Sequence, residues 1–415
     1  MLKHYLKIAL RNINKQKMFA AINIGGFAIG IAACLIIGLY INHETSFDKD
    51  NPNADRVFRV IGEIKQSGNT HSGVSFPAPM AKALMDDFPE IQNAGRTMSS
   101  ELFGGANNQV RRPDQQNDTY ESGFCFADTS VLSILNVHMI YGDRKHALSE
   151  PSSIVICKSM ADKYFPNQNP VGKILIFNDN PKMPIVVGGV MQDFPSNSHL
   201  QYRGFISLAG INFWNGEQQQ WTASNYQIYL LLKPHVNIDA FNKKITADVV
   251  DKYMIPALTA KGQKNVKEVF KNARLYLQPL TAIHLHSYNI DEDNVKHGDI
   301  RFIYLFAAIA IFILILACIN FLNLSTARSA NRAKEVGVRK VVGSTRANLI
   351  KQFLAESMLY SFLSFLIAIF ITLITLPLFN KLAGTQLNIP WNQWWLLPSL
   401  LAFAFVIGLL AGLYP

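Results

Sequence analysis

Four stretches of this chain contain no Asp, Glu, Lys or Arg over a length able to cross a lipid bilayer: residues 19–41, 302–324, 358–380 and 394–414. Each is 21 to 23 residues long. At about 1.5 Å of rise per residue that is roughly 32–35 Å of helix, against a hydrocarbon core of about 30 Å. A buried helix in a soluble core explains any one of them, but four in one chain point to membrane spans. Between the first two lies a long segment, residues 42–301, of ordinary polarity. The expected fold class is a multi-pass α-helical membrane protein with four transmembrane helices and a large α+β extracytoplasmic domain inserted between the first and second spans.

Charge sets the orientation. Only 16% of the 415 residues are charged, well below the roughly 25% of soluble domains, which disfavours a soluble enzyme. The formal net charge is +10, and it is not spread evenly. Residues 1–18 carry Lys3, Lys7, Arg11, Lys15 and Lys17 with no acid. Residues 325–357 carry Arg328, Arg332, Lys334, Arg339, Lys340, Arg346 and Lys351 against Glu335 and Glu356. The segment 42–301, by contrast, holds 26 basic and 27 acidic residues. The positive-inside rule then puts the N-terminus and the 325–357 loop in the cytoplasm, with 42–301 and the short loop 381–393 outside, and residues 394–415 as the last span. The basic residues are therefore orientation signals rather than a stripe that tracks a nucleic-acid groove, so no nucleic-acid partner is expected.

The first span reads as retained. A cleaved signal peptide needs an apolar core of about 7–15 residues and a small-residue cleavage site, whereas this core runs without interruption to Asn42 and Glu44. Ile31, Ala32, Ala33 and Cys34 resemble a lipoprotein cleavage box, but residues 35–41 stay apolar after the cysteine. Ahead of the span, Leu2, Tyr5, Leu6, Ala9 and Ile13 recur at helical spacing opposite Lys3, Lys7 and Arg11. That pattern suits a basic amphipathic helix on the inner membrane surface, or an ordinary solvated helix packed on protein. Cys34 and Cys318 fall inside spans, which leaves Cys125 and Cys157 outside as two buried thiols or a disulfide.

Within 42–301, short β-branched runs at 56–61, 154–156, 174–177, 185–190 and 228–232 predict strands. Helical spacing appears at 80–88, 160–165 and 240–254, the last with Phe241, Ile245, Val249 and Tyr253 on one face. Two subdomains are expected, with Asn-, Gln- and Gly-rich loops at 104–117 and 215–220 as insertion points. Chemistry is harder to find. Gly172 and Lys173 precede Ile174, and Asn167 stands where a P-loop needs its first glycine, so no nucleotide cradle is expected. His284 and His286, placed on one face of a strand, could join His297 as metal ligands. Without a supporting cysteine or carboxylate pattern, satisfied polar histidines are the plainer reading. No nucleophile elbow or metalloprotease helix occurs, and neither catalytic residues nor cofactor nor metal are expected.

In the cytoplasmic loop, residues 325–343 alternate small and charged side chains at helical spacing, and Gly343-Ser344-Thr345 reads as one helix ending and another beginning. Such a segment cannot bury a core of its own. It suits docking into a groove on a cytoplasmic partner, with Glu335 and Arg339 four residues apart as a mutual pair or as partner contacts. The plainer alternative is a loop whose charges only set topology.

The run Arg328-Ser-Ala-Asn-Arg-Ala-Lys-Glu-Val-Gly-Val-Arg-Lys-Val-Val-Gly343, with Phe353-Leu-Ala-Glu-Ser357 after it, resembles the FtsX-like permease signature of MacB-type ABC transporters. Three further groups resemble the MacB-like periplasmic core: Asn53-Ala-Asp-Arg-Val-Phe-Arg-Val60; Ala147-Leu-Ser-Glu-Pro151 with Lys163-Tyr-Phe165 and Asn169-Pro-Val-Gly-Lys173; and Gly189-Val-Met-Gln-Asp-Phe-Pro195. The likeness covers the whole chain. It implies a permease subunit in the cell inner membrane that couples ATP hydrolysis by a separate cytoplasmic ATPase to conformational change in its periplasmic domain. This is mechanotransmission, serving export or periplasmic activation. By motif, Arg332, Glu335, Gly337, Arg339, Lys340 and Gly343 become the ATPase-coupling positions. The implied partners are the ATPase in trans, a second permease copy or half forming a dimer, a periplasmic adaptor and the lipid bilayer. MacB carries a fused ATPase ahead of its first span, and relatives of this subtype often repeat the whole unit, so 415 residues suggest a first half or a truncated product. Two rival classes are a membrane-anchored sensor, which needs a cytoplasmic signalling domain, and a membrane-bound periplasmic enzyme, which needs a clustered catalytic site in 42–301.

Overall fold

The computed structural model describes residues 11, 17–66, 68–100, 108–291, 293, 295–327 and 346–413. It divides into two compact units, Met1–Thr45 with Ile300–Pro415, and Ser46–Asp299.

In the first unit, three helices among the described residues are long and apolar enough to cross a membrane. They lie at Lys17–Thr45, in the first 21 residues of Ile300–Ala327, and in the Leu354–Ala383 part of Arg346–Ala383. Four spans were expected, and these three are the ones shown among the described residues; the fourth stretch is helical as well. It forms a helix of 18 residues, Leu396–Leu413, about 27 Å at 1.5 Å per residue. The helix starts later than 394 because Trp394 and Trp395 lie in the preceding turn. Pro398 is tolerated as its third residue, where backbone N–H groups have no helical acceptor to lose. Trp391 and Trp394 are both exposed, as aromatic residues are at a membrane–water boundary.

The first helix buries one stripe, with Ala20, Ile24, Phe27, Ala28, Ile31 and Ala32 packed against Tyr360, Phe365, Ala368 and Ala404. Small residues let the backbones close up. A Cβ placed on Gly30 would sit 2.8 Å from the Ala317 Cβ, nearer than side chains approach. Polar groups inside the bundle bond to helix backbone carbonyls, Ser361 Oγ to Ala404 O at 2.9 Å and Cys34 Sγ to Ala310 O at 3.2 Å. The outer surface is apolar instead: Tyr304, Phe312, Phe370, Ile374 and Leu378 are each 61–70% exposed. In water that row is costly, but hydrocarbon is a matched solvent for it.

The second unit is built on one connected thirteen-stranded sheet. Its strands lie side by side in the order Arg274–Pro279, Val57–Gln66, Gln227–Leu232, Ile91–Ser99, Phe124–Ala127, Gly204–Ser207, Ser153–Cys157, Ile185–Met191, Ile174–Phe177, Asn108–Arg111 and Thr119–Glu121. Asn69–Gly73 pairs with the second of these and Met139–Tyr141 with the eighth. All pairings are antiparallel except Gly204–Ser207 with Phe124–Ala127 and Ile185–Met191 with Ser153–Cys157. Apolar residues fall into two main clusters. One surrounds Val155, Phe205 and Met160, and the other joins Val60, Leu230 and Leu277 to the helices Met80–Asp87 and Ile238–Val249.

Several expectations change in detail. The helix read over 240–254 is α-helical only across Ile238–Val249 and passes into a π turn at Val250–Met254. Phe241, Ile245 and Val249 are buried together, but the wider turn carries Tyr253 off that face to stack on Trp221, with ring centroids 4.4 Å apart. His284 and His286 are not on a strand. The nearest one ends at Pro279, and the His286 N–H donates to the Ala282 carbonyl as in a helical turn, so the two rings do not share a face. His284 is buried and stacked on Phe47, His297 Nδ1 lies 2.8 Å from the Val295 carbonyl, and among the described residues no three metal-ligating side chains cluster. The loop 215–220 is anchored rather than open, because Glu217 is fully buried and accepts from the Tyr226 hydroxyl at 2.6 Å. Cys125 and Cys157 are both buried free thiols, and burial pushes the Cys125 thiol up to about 12.

Candidate functional site

The six positions singled out by sequence, Arg332, Glu335, Gly337, Arg339, Lys340 and Gly343, lie outside the described residues, as does nearly all of residues 1–18. The helices on either side of that loop are described. Ile300–Ala327 has 28 residues and Arg346–Ala383 has 38, roughly 42 and 57 Å long, so both exceed a hydrocarbon core of about 30 Å. Each packs along the first helix. The bundle is held together by close backbone contact at Gly30 and by the Phe27–Ile31 stripe. The first helix continues in sequence straight into the sheet domain.

Where the chain enters that domain it is bonded down within a few residues. Phe47 is 1% exposed and lies flat on the His284 ring, 4° from parallel. Asp48, in the left-handed region at φ 56°, accepts from the Ser198 hydroxyl at 2.8 Å and the His199 N–H at 3.2 Å, and meets His199 Nδ1 at 2.8 Å. Its own N–H donates to the Asn197 carbonyl, and the Asn197 amide reaches back to Ser46. His199 Nε2 lies 3.2 Å from the Tyr229 hydroxyl. Burial pushes that hydroxyl well above the ordinary tyrosine range, so it stays protonated. The His199 ring is thus held between a carboxylate on one nitrogen and a hydroxyl on the other.

The exit is fastened in the same way. Arg59, fully buried on the second strand of the sheet, makes two 2.8 Å bonds to Asp293, one to Gln278 at 2.8 Å and one to Ser287 at 3.1 Å. Asp293 itself is 1% exposed and stands seven residues before the second helix begins. The planar fork matched to a carboxylate fixes the geometry through the two terminal nitrogens, while the buried Nε is left without a hydrogen-bond partner. These joints do no covalent chemistry. They lie within the sheet domain, close to its first and last residues.

Sequence reasoning missed Asp48, His199 and Asp293, because Asp48 and His199 are 151 positions apart and polar pairs at that separation leave no periodic trace. Arg59 did leave a signal. It interrupts the run 57–61, in which Val57, Phe58, Val60 and Ile61 are all buried, and a charge inside a strand covered on both faces demands a buried partner. Gly172 and Lys173 sit in a turn that leads into the strand Ile174–Phe177 rather than into a helix N-terminus, so the backbone there does not form a phosphate cradle.

The chain matches the MacB-like periplasmic core domain over residues 20–248 and the FtsX-like permease C-terminal over residues 307–415. It is similar to the macrolide export ATP-binding/permease protein MacB of Marinobacter nauticus, 22% identical across 99% of this chain and 58% of that protein. It is also similar to MacB of Aggregatibacter actinomycetemcomitans, 24% identical across 85% of this chain and 50% of that one. The chain thus spans about half the length of these curated relatives. Among solved structures, a permease-protein domain from Porphyromonas gingivalis aligns with 55% of this chain and 93% of its own at 20% identity and a TM-score of 0.44. The chain belongs to the ABC-transporter permeases that join a MacB-like periplasmic core domain to an FtsX-like membrane region.

Proposed function

We propose that this permease works by mechanotransmission: a separate cytoplasmic ATPase moves the 325–357 loop, and the long helices relay that movement to the outer domain, for export or for activation of a periplasmic partner. In this reading the membrane is the bacterial inner membrane, the N-terminus and loop are cytoplasmic, and residues 394–415 complete a fourth span. A second permease copy or half makes the working dimer, and a periplasmic adaptor is a further partner. Arg332, Glu335, Gly337, Arg339, Lys340 and Gly343 make the ATPase contact. The two apolar clusters of the sheet domain correspond to its two subdomains.

The observation that carries the reading is the pair of buried joints at Asp48 and Arg59. A domain meant only to bind a ligand at a membrane surface has no need to fix both of its chain crossings in buried ionic networks. One meant to be moved by its helices does. The asymmetric charge of the loop supports the cytoplasmic assignment. The test is co-purification with the cognate ATPase from membranes. Glu335→Lys and Arg339→Glu are expected to abolish association, while the outer-domain variant Lys82→Ala leaves it intact. Full association of both loop variants would refute the coupling role.

A further inference from the structure

The sheet domain contains a cavity of about 360 Å³ that none of the coupling machinery uses. Its floor is unusual. Gly62 pairs with Gly73 on one side and with Leu275 on the other, and residues directly opposite in antiparallel strands share a face. Two glycines therefore sit side by side where side chains would otherwise fill the space. Neither adopts positive φ, so backbone conformation does not require glycine at either position. A Cβ on Gly73 would meet only the Asp291 carbonyl oxygen, at an ordinary contact distance of 3.9 Å, so the position has room for a side chain that it does not carry. On Gly62 a Cβ would come within 3.3 Å of the Phe76 ring, so that ring already lies against the bare strand.

The walls are Phe76, Trp221, Phe270 and Met254. Trp221 is fixed from behind by its stack on Tyr253, whose hydroxyl bonds to Asp87 at 2.7 Å. Met254 closes the π turn Val250–Met254, a widening of the helix that recurs at functional sites. At the mouth, His71 Nδ1 lies 3.6 Å from Asp291, and Glu63 also lines the opening.

We propose that this cavity binds a planar aromatic molecule of one or two rings with a hydrogen-bond-donating edge. A side-chain-free strand surface presents flat peptide planes on which a ring can lie, and the aromatic walls and the methionine sulfur favour ring faces and edges over a flexible chain. The Asp291 carboxylate, whose residue bridges to Gly73, accepts from the ring's N–H. The volume falls in the lower part of the range for small-molecule sites, roughly 300–1,000 Å³.

The test uses the full chain in lipid nanodiscs and saturation-transfer NMR with indole as probe. Octanoate serves as an aliphatic comparator, and Gly73→Leu as the filled cavity. Subtracting the Gly73→Leu signal removes partition into lipid. Wild type is expected to give an indole signal at least ten-fold above Gly73→Leu, with little difference for octanoate. Gly73→Ala adds one methyl group at ordinary contact distance from its neighbour and is expected to weaken binding several-fold, which keeps the test decisive if the leucine variant melts early. An indole signal unchanged in both variants, or a variant-sensitive signal for octanoate alone, would overturn the assignment.

Discussion

Asp293→Ala removes the carboxylate that holds Arg59, and the size of the effect follows from burial. Both side chains are at most 1% exposed, so the guanidinium left behind has no access to water. Removing one member of a buried pair costs about 3–5 kcal/mol, most of it the penalty for an uncompensated buried charge. For a unit the size of Ser46–Asp299, about 1 kcal/mol moves the melting midpoint by roughly 2–4 °C, so the expected drop is roughly 6–20 °C. Lys82→Ala is the control, because it breaks an ion pair whose partners are 81% and 58% exposed, worth about 0–1 kcal/mol. The double variant Arg59→Met with Asp293→Leu removes the charge problem altogether. It keeps the 3.1 Å bond from the Gln278 amide to Ser287 but leaves Gln278 Oε1 without its donor, a loss of about 1–3 kcal/mol. It is therefore expected to be more stable than Asp293→Ala alone. Unfolding of the full chain in nanodiscs, followed by amide exchange on peptides of residues 57–66 and 227–232, reads the sheet directly. A shift for Asp293→Ala no larger than that of Lys82→Ala, or a double variant less stable than the single, would refute the reasoning.

Three other outcomes are expected. Hydrogen bonds from Lys252 and Tyr253 hold the Asp87 carboxyl below its ordinary value of 3.8. The stability it contributes is therefore present above about pH 4 and lost as pH falls through the lowered value, and Asp87→Asn should flatten the acid limb of a melting-midpoint-versus-pH curve. Gly30→Val forces a side chain into the 2.8 Å approach to Ala317 and should destabilise the bundle by about 1–3 kcal/mol, whereas Gly38→Ala, with nothing within 4 Å, should not. Detergent-resistant protease fragments compare the two. Cys125, buried and with its thiol raised to about 12, should resist maleimide labelling in the folded chain and react fully in denaturant.

What could be read from sequence was whatever has a short period or a uniform composition. Three of the four expected spans were legible because lipid tolerates almost no charge over about 20 residues, and the strand at 174–177 came out with its observed bounds because Ile174, Leu175, Ile176 and Phe177 form one unbroken run. The helix over 240–254 was legible until the π turn, a one-residue insertion that no hydrophobic periodicity announces. The coupling positions were legible only through family likeness and lie outside the described residues. The joints were not legible at all, except at Arg59. A pair such as Asp48 and His199 is assembled by the order of strands in the sheet, which depends on pairings between segments far apart in the chain. Nothing in either residue's neighbours encodes its partner.

The proposed relay gives the location of buried charge in this chain a physical reason. A helix bundle in lipid gains little from the hydrophobic effect between its helices and is held by close packing, so it can shift by small sliding steps while keeping most of its contacts. A sheet core has no such freedom, because a one-residue slip exchanges its buried and exposed faces. Movement delivered along the first helix therefore reaches the domain as motion of the whole body only if the junction is stiffer than the bundle. Apolar packing alone at residues 47–59 would permit small rotations at low cost. A carboxylate such as Asp48, accepting from Ser198 and His199 in one geometry with its backbone held at positive φ, does not. On that reading Asp48→Asn, which keeps the shape but weakens the acceptor, uncouples before it unfolds. The ATPase of the reconstituted complex should continue to turn over while transport or partner activation falls, and equal loss of both activities would mean that Asp48 serves stability alone.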